Sequence, residues 1–214
     1  MTTPPRRLAP GDRRRQIIDA TRDLLDEKQL KEVTVEEAAR RAGVSPGLVF
    51  HYFGNRRGFR RAIADELSAD LLGYLAPDPA LSHTEQLRSA LEVITSYVEQ
   101  HPALYLAVTR VSSDNHDLGE VHAGILGTIS EWVRGGLYAA GVPDTPALTA
   151  AVSGWIAFTE DVLFGWITGS ALKREDIVSL CENACYHLVQ VAVGNPASWD
   201  QIAARLARSP APVP

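Results

Sequence analysis

Residues 34–53, TVEEAARRAGVSPGLVFHYF, carry two helix-start signals separated by a glycine turn. Thr34 followed by Glu37 has the spacing of a capping box: the hydroxyl accepts from a free backbone N–H while the carboxylate reaches back to the N–H of the cap. Ala38, Ala39 and Ala42 then make a small apolar face on which a second helix can pack closely. Gly43 supplies the left-handed residue that ends a helix. Ser45-Pro46 restarts one, with Ser as N-cap and Pro at the first helical position. Two short helices joined through so tight a turn have the layout of a DNA-reading helix-turn-helix.

The flanks extend the pattern. Arg14 to Leu30 is amphipathic, with Ile17, Ala20, Thr21, Leu24 and Leu25 at helical spacing. Asn55 caps a further helix carrying Phe59, Ala62, Ile63 and Leu67. From Arg14 to about Leu67 the chain resembles the DNA-binding domain of the tetracycline-repressor (TetR) family of transcriptional regulators. The residues that carry the resemblance are Ile17-Ile18-Asp19-Ala20, Leu24-Leu25, Val33-Thr34-Val35, Ala39, Ala42-Gly43-Val44-Ser45, Gly47, Tyr52-Phe53 and Arg56. The resemblance implies an all-α protein. An N-terminal three-helix DNA-binding domain spans 11–67, with its helix-turn-helix at about 33–52, and a C-terminal helical domain for ligand binding and dimerisation spans 68–208.

Four positions depart from the usual family pattern. Gln29 stands where the family commonly ends its first helix with Gly, and a left-handed backbone there would cost Gln about 1–2 kcal/mol. Ala38 replaces the usual Ile, so the space between the first two helices is filled from elsewhere. Phe50 takes the place of a common Tyr and removes a hydroxyl that often holds a phosphate. Arg57 replaces a common acidic residue and adds positive charge beside the DNA.

Site residues follow from the resemblance, position by position. Pro46, Gly47, Leu48 and His51 face the major groove. Gly47 lets the backbone approach, Pro46 and Leu48 offer apolar contact to thymine methyls, and His51 can donate to a base or a phosphate. Thr34, Tyr52 and Arg56 are the phosphate anchors, since a hydroxyl, a phenol and a guanidinium all suit phosphate oxygens. Ser45 belongs to the same interface. Val49 and Phe53 read as core, and Tyr52 divides between core and anchor.

Charge is distributed accordingly. The chain holds 21 Lys+Arg against 26 Asp+Glu, yet residues 1–62 hold 14 basic and 8 acidic side chains, leaving 7 and 18 for the remainder. An acidic chain with a basic end places a DNA footprint on that end alone.

The remaining features are bounds. At 214 residues and 45% hydrophobic content the chain can bury a sizeable core. No apolar run approaches the ~18–20 residues of a membrane span, and no signal-peptide pattern opens the chain, so no membrane partner is expected. The Pro- and Arg-rich start, MTTPPRRLAPG, reads as a disordered tail or as an arm along DNA phosphates, and Ser209 to Pro214 as a frayed end. Cys181 and Cys185 lie on one face of a helix; an intrahelical disulfide has poor geometry, so both read as buried thiols in a reducing cytoplasm. The stretch from Asp114 through His116, Asp117 and Glu120 to His122 has the composition of a metal cluster, but its spacing fits no motif, and Asp114 or Asp117 caps the next helix naturally. With no nucleophile–base pair, phosphate loop or metal-ligand spacing, neither an enzyme nor a bound cofactor or metal is expected.

Beyond Leu67 the pattern stays helical. Gly73-Tyr74 and Pro77-Asp78-Pro79 mark a linker, and helices follow over Ser82–Gln100, Pro102–Ser113, Asp117–Ala140, Thr145–Thr168, Glu175–Val193 and Pro196–Arg208. By resemblance the two long helices Thr145–Thr168 and Glu175–Val193 pair two subunits, and the homodimer reads a palindromic operator. An unknown small-molecule effector is then expected in the C-terminal region, with Tyr97, Tyr105, Trp132, Trp155, Phe158 and Asp161 as its candidate contacts. Aromatic residues at helical spacing also make plain core. Glu160 and Asp161, in so apolar a helix, would face a cavity, pair with Arg or cap the partner's helices. Two rival readings are a ligand-independent architectural or adaptor protein with the same DNA-binding head, and an all-α enzyme whose head only resembles a DNA reader.

Overall fold

The computed structural model describes residues 9–25, 27–28, 30–109 and 116–208. The expected all-α class is found: no strand occurs among the described residues. They form two compact units, one built from the chain up to residue 69 with 103–121, the other from 70–102 with 122 onwards.

In the first unit, helix α1 (Pro10–Leu25) buries Ile17, Ile18, Leu24 and Leu25, and a single 3₁₀ turn at Leu30–Glu32 adds Leu30 to the same core. Thr21 is wholly buried in α1, its hydroxyl donating to the Ile17 carbonyl at 2.7 Å. Helix α2 (Val35–Arg41) packs its Ala38–Ala39 face against α1 and the next helix; both alanines are buried, as short side chains at a close helix approach must be. At Gly43 the backbone is left-handed (φ 66°). The Val44 N–H returns to the Ala39 carbonyl at 2.9 Å and the Gly43 N–H to the Arg40 carbonyl, so a Schellman turn closes α2.

Helix α3 (Pro46–Phe53) starts on Ser45, whose hydroxyl accepts from the Leu48 N–H at 3.2 Å, and buries Val49 and Phe53. The Phe53 ring meets Phe59 edge-on, and the Arg14 guanidinium lies 5.4 Å above it. Helix α4 (Arg56–Leu75) follows almost at once. Asn55 Oδ1 accepts from the Gly58 N–H at 2.8 Å, and a Cβ on Gly58 would stand 2.3 Å from the Phe53 carbonyl oxygen, so only glycine fits where α4 leaves α3.

Helix α4 runs straight through Gly73-Tyr74, where a linker was expected. The break comes only after Leu75, with Pro77 and Pro79 in the connection. Helix α6 (Pro102–Thr109) and the first turns of α7 (His116–Ala139) complete the first unit. There Arg61 holds Glu120 of α7 at 2.9 Å and Asp65 of its own helix at 3.0 Å.

The second unit is built on α8 (Pro146–Ile167) and α9 (Arg174–Val193), the most closely packed pair of helices. The Trp155 indole N–H, buried, donates to the Cys181 carbonyl at 2.8 Å and stitches one to the other. Helix α5 (His83–Gln100), started by a second capping box at Ser82 and Glu85, packs on α9, and α10 (Pro196–Leu206) packs on α9 as well. The carboxylate of Glu182, buried in α9, meets the Arg88 guanidinium of α5. Both cysteines are buried free thiols, and desolvation pushes Cys185 up to about 12.

One expectation is corrected. By length and composition alone α8 is apolar enough to cross a membrane, with a mean hydropathy of 1.3 over its best window. Its Ala, Val, Leu, Ile and Phe residues raise that average despite Glu160 and Asp161. Leu148, Val152, Trp155, Ile156 and Leu163 are nevertheless buried within the unit, so one face of α8 is core while much of the rest is open to solvent. From α5 onwards helix ends fall within about two residues of those expected, except that α6 is described only to Thr109, whereas α1, expected over Arg14 to Leu30, spans Pro10–Leu25. The N-terminal arm, Gln29, Asp114 and the C-terminal Ser209–Pro214 lie outside the described residues.

Arg88→Ala leaves the buried Glu182 carboxylate without its cation. The expected cost is on the order of 1–3 kcal/mol in chemical denaturation, with part recovered in Arg88→Ala/Glu182→Gln. An unchanged midpoint in the single variant would show that the pair does not hold α5 to α9.

Candidate nucleic-acid interface

The outward side of α3 is set by its inward side. Val49 and Phe53, four residues apart, face the core, which turns Pro46, Gly47 and His51 to solvent and leaves Leu48, Phe50 and Tyr52 half-buried. A Cβ on Gly47 would meet nothing closer than the Ser45 hydroxyl at 3.9 Å. The protein's own packing therefore makes no demand for glycine here. His51 stands edge-on to the Tyr52 ring at 5.3 Å, so the phenol ring braces the imidazole.

The polar groups around α3 are more committed than their sequence suggests. Glu37 Oε2 accepts from the Thr34 N–H at 3.0 Å and from the Thr34 hydroxyl at 2.9 Å, while the Glu37 N–H donates back to that hydroxyl at 3.2 Å. Glu37 Oε1 takes Lys28 Nζ at 2.6 Å. A hydroxyl has one proton. That of Thr34 is spent on Glu37, so as it stands Thr34 offers a phosphate no hydroxyl donor, which counts against its expected role as an anchor. Ser45 likewise uses its oxygen on the Leu48 N–H.

Lys28, followed by the Thr34 hydrogen bonds, holds the Glu37 carboxyl at about 2, below its usual 4.5. Arg41 and Glu27 make a second bridge from α2 to the segment before it, at 2.9 Å. Arg56, 72% exposed in its side chain at the first turn of α4, lies 3.6 Å from Glu36 in the first turn of α2. The sequence reading missed Glu36 and Gly58. Glu36 carries no local signal beyond its place in a first turn, and the need for Gly58 arises only once the Phe53 carbonyl is placed.

The expected effector contacts are divided between the two units. Tyr105 is buried in the first unit, while the other five lie in the second. Trp155 is buried, its N–H taken by the Cys181 carbonyl. Phe158 and Asp161 are exposed on α8. Tyr97 is half-buried, its ring tilted against those of Tyr74 and His101, and Trp132 is half-buried on α7. A pair the sequence reading left out is better enclosed: His122 Nε2 of α7 lies 2.7 Å from Glu160 Oε1 of α8, each side chain largely shielded from solvent. Among the described residues no cluster of side chains suits a metal ion.

With this geometry in hand, comparison with known proteins is informative. Residues 17–63 match the profile described as "Bacterial regulatory proteins, tetR family". The head of this chain is thus similar to that of the tetR family. The tetR-type head is 42% identical over 59 residues to the HTH-type transcriptional regulator BetI of Klebsiella pneumoniae (strain 342), a match covering 28% of this chain and 30% of that protein. BetI of Escherichia coli (strain K12 / DH10B) matches at 41% over the same span. The match therefore covers less than a third of these curated relatives. The fold continues beyond the tetR-type head. A tetR-family transcriptional regulator from Streptomyces coelicolor aligns at a TM-score of 0.74 over 95% of this chain and 92% of its own, at 21% identity. FadR from Bacillus subtilis, solved in complex with stearoyl-CoA, aligns at 0.60 over 82% and 97%, at 18% identity.

The Glu37 cluster makes a pH prediction. Its folded-state value lies below the usual 4.5, so its stabilisation is complete above about pH 4.5 and is lost as pH falls towards about 2. Parent and Glu37→Gln should therefore differ in melting temperature at neutral pH and converge across that acid window. Parallel curves down to pH 2 would remove Glu37 from the account.

Proposed function

We propose that the protein is a ligand-responsive transcription regulator, a repressor that binds a palindromic operator as a homodimer in the bacterial cytoplasm. The observation that carries the DNA-binding part is α3, seated on Val49 and Phe53 with Pro46, Gly47 and His51 left to solvent. A helix so held enters a major groove with its N-terminal residues against base edges. Pro46, Gly47, Leu48 and His51 read bases, while Arg56 and Tyr52 hold phosphates. Thr34 and Ser45 serve the interface chiefly by capping the two helices that frame it.

Dimerisation is supported by the surface of α8 and α9. Phe158, Leu180, Leu188 and Val191 are exposed, Val191 by 78%, although α9 already buries its opposite side on α8 and α5. Large apolar side chains grouped in this way suit a partner surface. A two-fold pair would set its recognition helices about 34–36 Å apart, one turn of duplex.

The effector reading rests on the fold shared with ligand-bound FadR and on the half-buried His122–Glu160 pair. Since Asp161 is exposed, Glu160 takes the role of polar contact first considered for both carboxylates. Effector bound in the second unit favours a spacing of the two heads that no longer matches the operator.

Selection of duplexes from a random library, followed by binding across a salt titration, tests the reading. Arg56→Ala should weaken binding to every duplex and lower the slope of log affinity against log salt by about one, whereas His51→Ala should alter base preference. Gly47→Ala should fold at least as stably as the parent, gaining up to ~1 kcal/mol of helix propensity, and still bind selected DNA less tightly. Selection that yields no preferred sequence overturns the reading. Leu188→Glu should give a monomer by light scattering, and a monomeric parent would end the dimer proposal.

A further inference from the structure

We propose that Glu36 competes with DNA phosphate for Arg56 and so restrains the sequence-blind part of DNA binding; this rests on the DNA-binding reading above. The two side chains project from the first turns of α2 and α4, and Glu36 Oε1 lies 3.6 Å from Arg56 Nη2. Both are open to solvent, at 55% and 72%, so a phosphate can reach the guanidinium without rearranging the core. In helix-turn-helix docking the first helix crosses the DNA backbone while the second lies in the groove. The first turn of α2 is therefore where a phosphate belongs, and a carboxylate there opposes it.

The contrast with the next residue is what singles Glu36 out. Glu37 caps α2 and binds Lys28, so its carboxylate is committed to the fold. Glu36 takes no part in the capping box, and Val35 and Ala38 on either side of the acidic pair face the core while Glu36 faces water. An exposed ion pair of this kind is weak and screened by salt. It holds Arg56 loosely enough to be displaced, and leaves a negative charge beside the phosphate when it is. Phosphate contacts carry no sequence information, whereas base contacts do. A carboxylate in this place thus lowers the affinity that every duplex shares and makes binding lean more on α3.

The test uses the full-length protein and a 30-base-pair duplex of mixed sequence at several salt concentrations. Glu36→Gln should tighten binding about 3- to 10-fold and steepen the salt dependence, while Glu36→Asp, which keeps the charge, stays near the parent. In an Arg56→Ala background the gain from Glu36→Gln should fall to less than half, because the carboxylate acts through that guanidinium. Circular dichroism melts of each variant check that the head is folded. Glu36→Gln binding no better than the parent, or gaining equally with and without Arg56, overturns the proposal and leaves the DNA-binding reading standing. A folded parent that binds neither the mixed-sequence duplex at low salt nor any selected one overturns both.

Discussion

The Glu37 carboxylate receives three hydrogen bonds, two from Thr34 and one from Lys28, and the rest of the head is positioned through them. Thr34 fixes where α2 begins. Lys28, in the segment that follows α1, fixes how α2 lies against its predecessor. Once the start and tilt of so short a helix are set, its end is set too, and the Schellman turn at Gly43 passes that geometry on to α3. An eight-residue recognition helix has little stability of its own. The packing of Val49 and Phe53 holds it in place.

Charge within the head is less available than its composition suggests. Arg14 faces Glu66, Lys28 faces Glu37, Arg41 faces Glu27, Arg56 faces Glu36, and Arg61 faces Asp65 and Glu120. These pairs leave the net charge unchanged but shorten the range of its field, since a close pair acts outward as a dipole. The positive surface is thus a patchwork in which the geometry of pairing decides which guanidinium can turn to an incoming anion. Counting residues along the chain registers the sum and misses this arrangement.

What was legible in advance divides by distance along the chain. Caps at Thr34 and Ser45, the left-handed Gly43 and the core positions of α3 involve neighbours within a few residues, and their residue types record the local chemistry directly. Trp155 with Cys181, Arg88 with Glu182 and His122 with Glu160 join residues 26 to 94 positions apart. Nothing in the neighbourhood of Glu182 announces a buried carboxylate; its environment is made by a helix nearly a hundred residues earlier. The place of Trp155 was open for the same reason, because an aromatic on an apolar helix has the same appearance whether it lines a cavity or fills a seam. Gly58 is the smallest such case, since its need depends on where one carbonyl oxygen comes to rest.

Helices α4 and α7 each begin in one compact unit and end in the other, and α6 returns to the first unit after the chain has already left it. The first unit is therefore not a continuous stretch of sequence. Shuffling of domains between proteins, in evolution or by design, joins chains end to end. A graft taken from the N-terminus up to the middle of α4 would leave behind α6, the opening of α7 and the Glu120 partner of Arg61. Such a chimaera keeps the reading surface but must borrow the remainder of its supporting core from the recipient. Exchange of heads should succeed between chains whose α6 and early α7 match, and sequence likeness confined to the helix-turn-helix is a poor guide to which chains those are.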